Sequence, residues 1–577
     1  MFRIGIVFLL CATVVKTNPP TLRDLVNPWE QTALRDTLSD IVELEYKDKV
    51  VAFDHAEPTP DYKVRPPTVS QLNQNYSDLL YQADIRLPTH LLRSMISGSL
   101  TRKKRTTYRD RFYPSTIWKD GVPFAFHKSM NAWGRRSVLA AIQFWRKKTC
   151  IRFRRRTKEK VYLLFVGYDY GCWSTVGRDA YQGQQLVSIG RGCEAFGITS
   201  HEVAHALGLF HEQSRYDRDN WITVFPNRVP RSQLYNFAKV GPKNMRLYGT
   251  AYDIGSIMQY TPFEFSTDPR VPSMIATNIN DQGAMGQLAG PSFQDVQIMN
   301  HHYGCPAKCR PRIQCHNGGI QYFHDCRICI CPSGYGGRRC GKPQPPSIRN
   351  CGGKIHAKAV PRRMRLKIKA RKNAGTSPRT CIYHIMSPRG TRIHLTIEKV
   401  VSTCMPGCWR EAAEFKTRNN KGITGNRFCC TLTTHKRILA NSNVVPVMLK
   451  SIKKPAEIIV QYSFVNRNIA RDDEPENVAE NSTLRFGPGV KTFGDDNEFE
   501  MEIQPLDNSQ TGEQLNDIVA HDENTEEPET PEDPTEFQRN LLEDLYEMPP
   551  LDPDLEDIFL DGNDNVEVTP MAEVDVR

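Results

Sequence analysis

Three histidines within eleven residues, His201, His205 and His211, constrain this 577-residue chain more than any other feature. Two imidazoles four residues apart share one face of an α-helix, so both can reach a single ion. Glu202, next to the first, stands where it can reach a water on that ion. Gly208 has no side chain, so the helix can stop there and the chain can turn to bring in His211 as a third ligand. Three nitrogens leave a tetrahedral zinc one open position, as a catalytic site requires and a structural one does not. The five-residue His-Glu-x-x-His pattern also arises by chance on ordinary helices. The third histidine after a glycine sets this one apart from a core helix, though a relative that has lost activity would look the same.

The length exceeds one domain of roughly 100–200 residues, so several units are expected. Residues 1–17 read as a signal peptide: Arg3, then the apolar run Ile4 to Ala12, too short to span a bilayer. No later segment reaches the length of a membrane span, so a soluble, secreted, extracellular product is expected. Cys11 falls in the signal, and the other 16 of the 17 cysteines form tight clusters suited to an oxidising compartment. Residues 18–105 form a cysteine-free leader, or propeptide, ending in Arg102-Lys103-Lys104-Arg105. That run resembles a furin-type site, with activation by cleavage after Arg105. Residues 106–305 have the length and apolar density of one globular domain. Six cysteines between Cys309 and Cys340 leave too little chain for a good apolar core, so disulfides must hold 306–341 together. Residues 351–466 carry short β-type runs such as Ile458 to Tyr462, consistent with a β-sandwich. From Arg471 to the end there are 33 acidic and 5 basic residues, and this tail is expected to be disordered, with Phe537 to Tyr546 able to form a short helix on a partner. The net charge of +11 therefore hides a basic body and an acidic tail. Nucleic-acid binding by the basic body conflicts with export and is not expected.

The block from His201 to Asp219 resembles the astacin family of metzincin zinc proteases, as do Ser256-Ile257-Met258-Gln259-Tyr260, Cys172-Trp173-Ser174 and Gln185 to Cys193. The resemblance covers about 200 residues. It implies an α/β (α+β) protease domain with a cleft between two lobes, one Zn2+ per catalytic domain, Met258 as a hydrophobic floor under the metal, and Tyr260 as a mobile stabiliser of the transition state. Gln259 departs from the family's usual histidine. The resemblance also implies disulfides Cys150–Cys305 and Cys172–Cys193. In the leader, Tyr81-Gln82-Ala83-Asp84-Ile85-Arg86-Leu87 resembles the propeptide motif whose aspartate occupies the zinc, so Asp84 is expected as a metal ligand in the zymogen only, with Ala83 in place of the usual glycine. Cleavage after Arg105 would create an amino terminus at Thr106 that, as in the family, reaches towards Glu212. Many astacins prefer an acidic residue just after the cut, helped by an arginine. Leu288 stands at that position here, so a weaker acidic preference is expected unless Arg270 substitutes.

The cysteines from Cys309 to Cys340, with Asn317-Gly318-Gly319, resemble an EGF-like module, implying Cys309–Cys326, Cys315–Cys329 and Cys331–Cys340. No acidic pair of the calcium-binding kind precedes Cys309, so a spacer role is expected. Cys351-Gly352-Gly353 with Cys381 resembles the opening of a CUB domain and implies Cys351–Cys381. The pairing of Cys404, Cys408, Cys429 and Cys430 stays open. Ten basic and no acidic residues lie between Lys354 and Arg379, which either bind acidic glycans or form a solvated or tail-covered face. Asn75 and Asn481 are candidate glycosylation sites of a secreted glycoprotein. This order of units resembles nematode astacins that process cuticle collagens, implying matrix or cuticle protein substrates and a furin-like activator. The competing class is an inactive matrix-binding EGF/CUB scaffold.

Overall fold

The computed structural model describes residues 22–46, 62, 65–98, 113–167, 171–179, 183–370, 378–466 and 499–505. The signal segment, Arg105, Thr106, Asn481 and the Phe537 to Tyr546 stretch lie outside them. Among the described residues no helix is long and apolar enough to cross a membrane.

Apolar runs in the first half of the 106–305 segment build five strands of a six-stranded sheet, and the leader adds the sixth. Its strands are Ile85–Arg86 (β1), Val122–Phe126 (β2), Phe153–Arg155 (β3), Tyr162–Val166 (β4), Cys172–Thr175 (β5) and Gln184–Ile189 (β6), in the order β1-β5-β6-β4-β2-β3. Only β5 and β6 pair antiparallel; the other neighbours are parallel. β2 and β4 are buried along their whole length, as strands covered on both faces must be. The helix Ala132–Lys148 starts where the Asn131 side chain accepts from the Gly134 N–H and ends on Arg146, Lys147 and Lys148, both favourable to the helix dipole. It packs on the helix Phe196–Ala206, with the Ser137 hydroxyl donating to Thr199 at 2.7 Å and the Trp145 indole N–H to the Ser200 carbonyl at 3.3 Å.

Two hydrophobic clusters make the two lobes. One gathers Phe124, Ile142, Trp145, Phe165 and Met258, the other Phe210, Tyr235, Phe237 and Tyr260. The chain crosses between them at Gly208, whose φ of +110° favours glycine, and a Cβ there would meet His302 Nε2 at 2.9 Å.

The leader is more ordered than its polar composition implies. Pro28–Tyr46 is a helix, and its Leu34, Leu38 and Val42 enter the second cluster together with Tyr81, Ile85, Leu87 and Leu91. β1 extends the sheet edge, with Ile85 opposite Ser174. The 106–305 domain thus borrows core and an edge strand from a segment that the basic run sets apart.

Disulfides join Cys309–Cys326, Cys315–Cys329 and Cys331–Cys340 in the small module. The region after Cys351 folds into two five-stranded sheets. One runs Gly353–His356, Arg379–Met386, Val444–Ser451, Ala412–Phe415, Asn426–Phe428; the other Leu432–Leu439, Thr391–Val401, Ala456–Asn466, Arg362–Ile368, Phe499–Pro505. Cys351 pairs with Cys381, and the four cysteines left open pair as Cys404–Cys430 and Cys408–Cys429. Gly407, between the last two clips, has a φ of +75° and lies so close to the 106–305 domain that a Cβ would meet Gln287 at 2.4 Å. Nearby, Asp253 accepts from the Thr424 N–H at 3.0 Å and hydroxyl at 3.1 Å.

The last strand corrects the expectation of a wholly disordered tail and of a sandwich ending at 466. Phe499–Pro505 pairs antiparallel with Arg362–Ile368, placing Glu502 opposite Arg365 and Glu500 opposite Lys367. Its apolar residues alternate with charges at the strand period, and pairing satisfies an edge that would otherwise expose its N–H and C=O groups. Deleting residues 471–577 should therefore uncover the basic strand and raise the salt needed to elute the protein from heparin, most clearly at low ionic strength. An unchanged elution salt would show that the tail does not cover this face.

Candidate metal centre

The helix Phe196–Ala206 carries His201 and His205 on one face, and the turn at Gly208 delivers His211. The Nε2 atoms of His205 and His211 lie 2.9 and 3.3 Å from that of His201. Asp84 of the leader points into the same centre: its Oδ2 is 3.1 Å from His201 Nε2 and 3.2 Å from His211 Nε2, and its Oδ1 is 3.4 Å from His205 Nε2. These four side chains form the group among the described residues that could hold a metal ion, and all four are buried.

The opposite ring nitrogens are tied back. His201 Nδ1 lies 2.9 Å from the Ile257 carbonyl, His205 Nδ1 2.7 Å from the Leu209 carbonyl, and His211 Nδ1 3.1 Å from Gln82 Oε1. An Nδ1–H held by an oxygen leaves the Nε2 lone pair aimed at the centre, which is how proteins orient metal-binding histidines. Burial also disfavours the charged rings of His205 and His211, lowering the first and taking the second down to about 3. Burial opposes the Asp84 charge, yet the imidazoles of His211, His205 and His201 hold its carboxyl well below the usual range. Three imidazoles and one carboxylate are a donor set that fits zinc.

Glu202 is fully buried, and neither carboxylate oxygen has a hydrogen-bond partner among the described residues. Burial first, and the Asp84 charge second, push its carboxyl well above the usual range. The Tyr260 ring lies 4.7 Å from that of His211, with its hydroxyl equally without a partner. Met258 is buried in the floor, and its turn is braced by Asp295, which accepts from the Ser256 hydroxyl at 2.5 Å and the Ile257 N–H at 3.0 Å. Gln259 turns away from the metal group and accepts from the Tyr252 hydroxyl at 2.5 Å. Cys150 bonds to Cys305 and Cys172 to Cys193. Glu212 accepts from Arg215 at 3.0 Å and from the Asp253 N–H at 2.9 Å, while burial pushes it up to about 8.

The sequence of known families agrees with this geometry. The astacin family, peptidase family M12A, matches residues 110–304. Zinc metalloproteinase nas-23 of Caenorhabditis elegans is 45% identical over 82% of this chain and 87% of its own. The chain belongs to the astacin family. Zinc metalloproteinase nas-29 of the same organism is 42% identical over 81% of this chain and 91% of its own. The solved high choriolytic enzyme 1, a hatching-enzyme zinc protease of the medaka Oryzias latipes, is 32% identical and covers 34% of this chain and 98% of that one, with a TM-score of 0.32. As an astacin the chain is a zinc metalloendopeptidase acting on protein substrates.

Some site residues gave no signal in the sequence. Gln82 sits beside the leader aspartate, but only the fold shows it against His211. Ala83, in place of glycine, adopts φ +69° and follows Gln82 at φ +50°. A left-handed alanine costs energy that glycine does not. Ala83→Gly should therefore stabilise the uncleaved precursor by about 0.5–1 kcal/mol in denaturant unfolding. A loss of stability of that size would contradict the reading.

Proposed function

We propose that this astacin is secreted as a latent precursor, silenced by Asp84, activated by a furin-like cut after Arg105, and directed at matrix or cuticle proteins such as procollagens. The observation that carries the latency is the Asp84 carboxylate, within 3.4 Å of all three histidine Nε2 atoms. His201, His205 and His211 would hold zinc, and Asp84 would be a further ligand until the leader leaves.

Zinc supplies Lewis acidity there, making a water easy to deprotonate near neutral pH and polarising a peptide carbonyl. Glu202 takes the proton from the water and returns it to the leaving amine, a task favoured by a dry carboxyl with no competing partner. The Tyr260 hydroxyl donates to the developing oxyanion, a contribution of about 2.7–4 kcal/mol for such a donor. Residues 306–341 act as an EGF-like spacer and the sandwich as a CUB-like module, whose basic strand offers a surface for acidic glycans when the acidic strand Phe499–Pro505 is displaced.

The test is to incubate processed protein with collagenous matrix proteins and sequence the new amino termini. Discrete new termini that vanish when zinc is chelated are expected. A processed, zinc-loaded protein that leaves collagens intact but cuts other proteins would overturn the substrate, and one that cuts nothing would return the scaffold reading.

A further inference from the structure

With the leader in place, a cavity of about 190 Å³ lies between it and the metal centre, far more than the roughly 10–15 Å³ one water needs, and when the leader leaves this space opens further into the cleft, wide enough for a side chain. Its protease-side wall includes Tyr260, Phe263, Glu264 and Leu288, and the sandwich adds Pro406. Glu264 is 2% exposed. Its carboxylate accepts the Ser70 N–H of the leader at 2.9 Å and the Thr261 hydroxyl at 3.1 Å. Once Asp84 and the rest of the leader leave, Glu264 is the one acid among the described residues of this wall, and no lysine or arginine remains there. The leader also shows that a cation is tolerated at the mouth: the Arg65 guanidinium lies over the Phe263 ring, 4.9 Å from its centroid, and donates to the Pro269 carbonyl. Arg270, by contrast, is exposed and paired with Asp268, and does not line the cavity.

Removing the leader takes the Ser70 donor from this carboxylate and opens it to the cleft, where a donor from a substrate side chain can replace it. A cation gains more there than a neutral group, and an anion is repelled. We propose that Glu264 makes this chamber a subsite for a lysine or arginine side chain beside the scissile bond, reversing the acidic preference expected of many astacins. The proposal rests on the latent-protease reading above.

The test uses processed full-length protein and peptides that differ only in carrying Lys, Arg, Ala or Asp at the positions flanking the cut. At one position kcat/KM for Lys and Arg should exceed that for Ala by about tenfold, with Asp lowest. Glu264→Gln should bring the Lys-to-Ala ratio close to one, and Glu264→Arg should invert the order towards Asp. If Glu264 only latches the leader, every peptide will fall or hold together and the ratios will stay as in the wild type, which overturns the proposal. Should a variant lose zinc, the wild-type profile decides alone, since parity of Lys with Ala or a preference for Asp overturns it. A zinc-loaded wild type that cuts none of the peptides would instead defeat the protease reading, an outcome distinct from a flat profile.

Discussion

Glu202→Ala, processed after Arg105, should retain one zinc per chain and lose turnover by about 100- to 10,000-fold, the range for removing a general acid–base group. His201 and His205 keep their backbone anchors on the far side of each ring, and His211 exchanges Gln82 for water when the leader goes. The Glu202 oxygens make no hydrogen bond with any described residue, so removing them leaves no donor stranded. The expected result is thus a folded, metal-loaded, inactive protein. Turnover within threefold of wild type would assign the proton transfer to another group.

The second large effect concerns latency. An Arg105→Ala precursor should be silent, and the same precursor carrying Asp84→Ala should gain at least about tenfold in turnover, equivalent to about 1.4 kcal/mol. The gain will be incomplete, because Asp84 is not the leader's sole anchor. The Asn73 side chain bridges the Ala83 and Cys172 carbonyls at 2.9 and 2.6 Å, and Tyr62 packs edge-on to Phe263, in a cluster with Cys408, Cys429 and Cys430. The leader therefore still lies across the cleft when the carboxylate is gone. Two equally silent precursors would mean that coverage, rather than the aspartate, blocks the enzyme.

The metal group was legible in the sequence because its spacing encodes its geometry: helical period, glycine turn, third ligand. Asp84 was legible only through the family's leader motif, since a single acid in a polar segment carries no period. The Pro28–Tyr46 helix was hidden because its apolar residues are interspersed with charged and polar ones, and its buried Leu34, Leu38 and Val42 rely on the second lobe to cover them. A weakly apolar helix gains its stability from packing rather than from propensity. The strand Phe499–Pro505 was masked by averaging over an acidic tail, although Phe499, Met501 and Ile503 alternate with charge at the period of a strand. Glu264 escaped notice for a different reason. An acid between two phenylalanines reads as a surface residue until the fold sets it in the wall of the cleft.

Zinc content and turnover, followed in one sample while the precursor is cut after Arg105, test the central claim most directly. The account predicts one zinc per chain from start to finish, no turnover before the cut, activity rising in step with it, and complete loss on chelation with recovery on adding zinc. A fully cut chain with one zinc and no turnover, or turnover that survives removal of the metal, would contradict it.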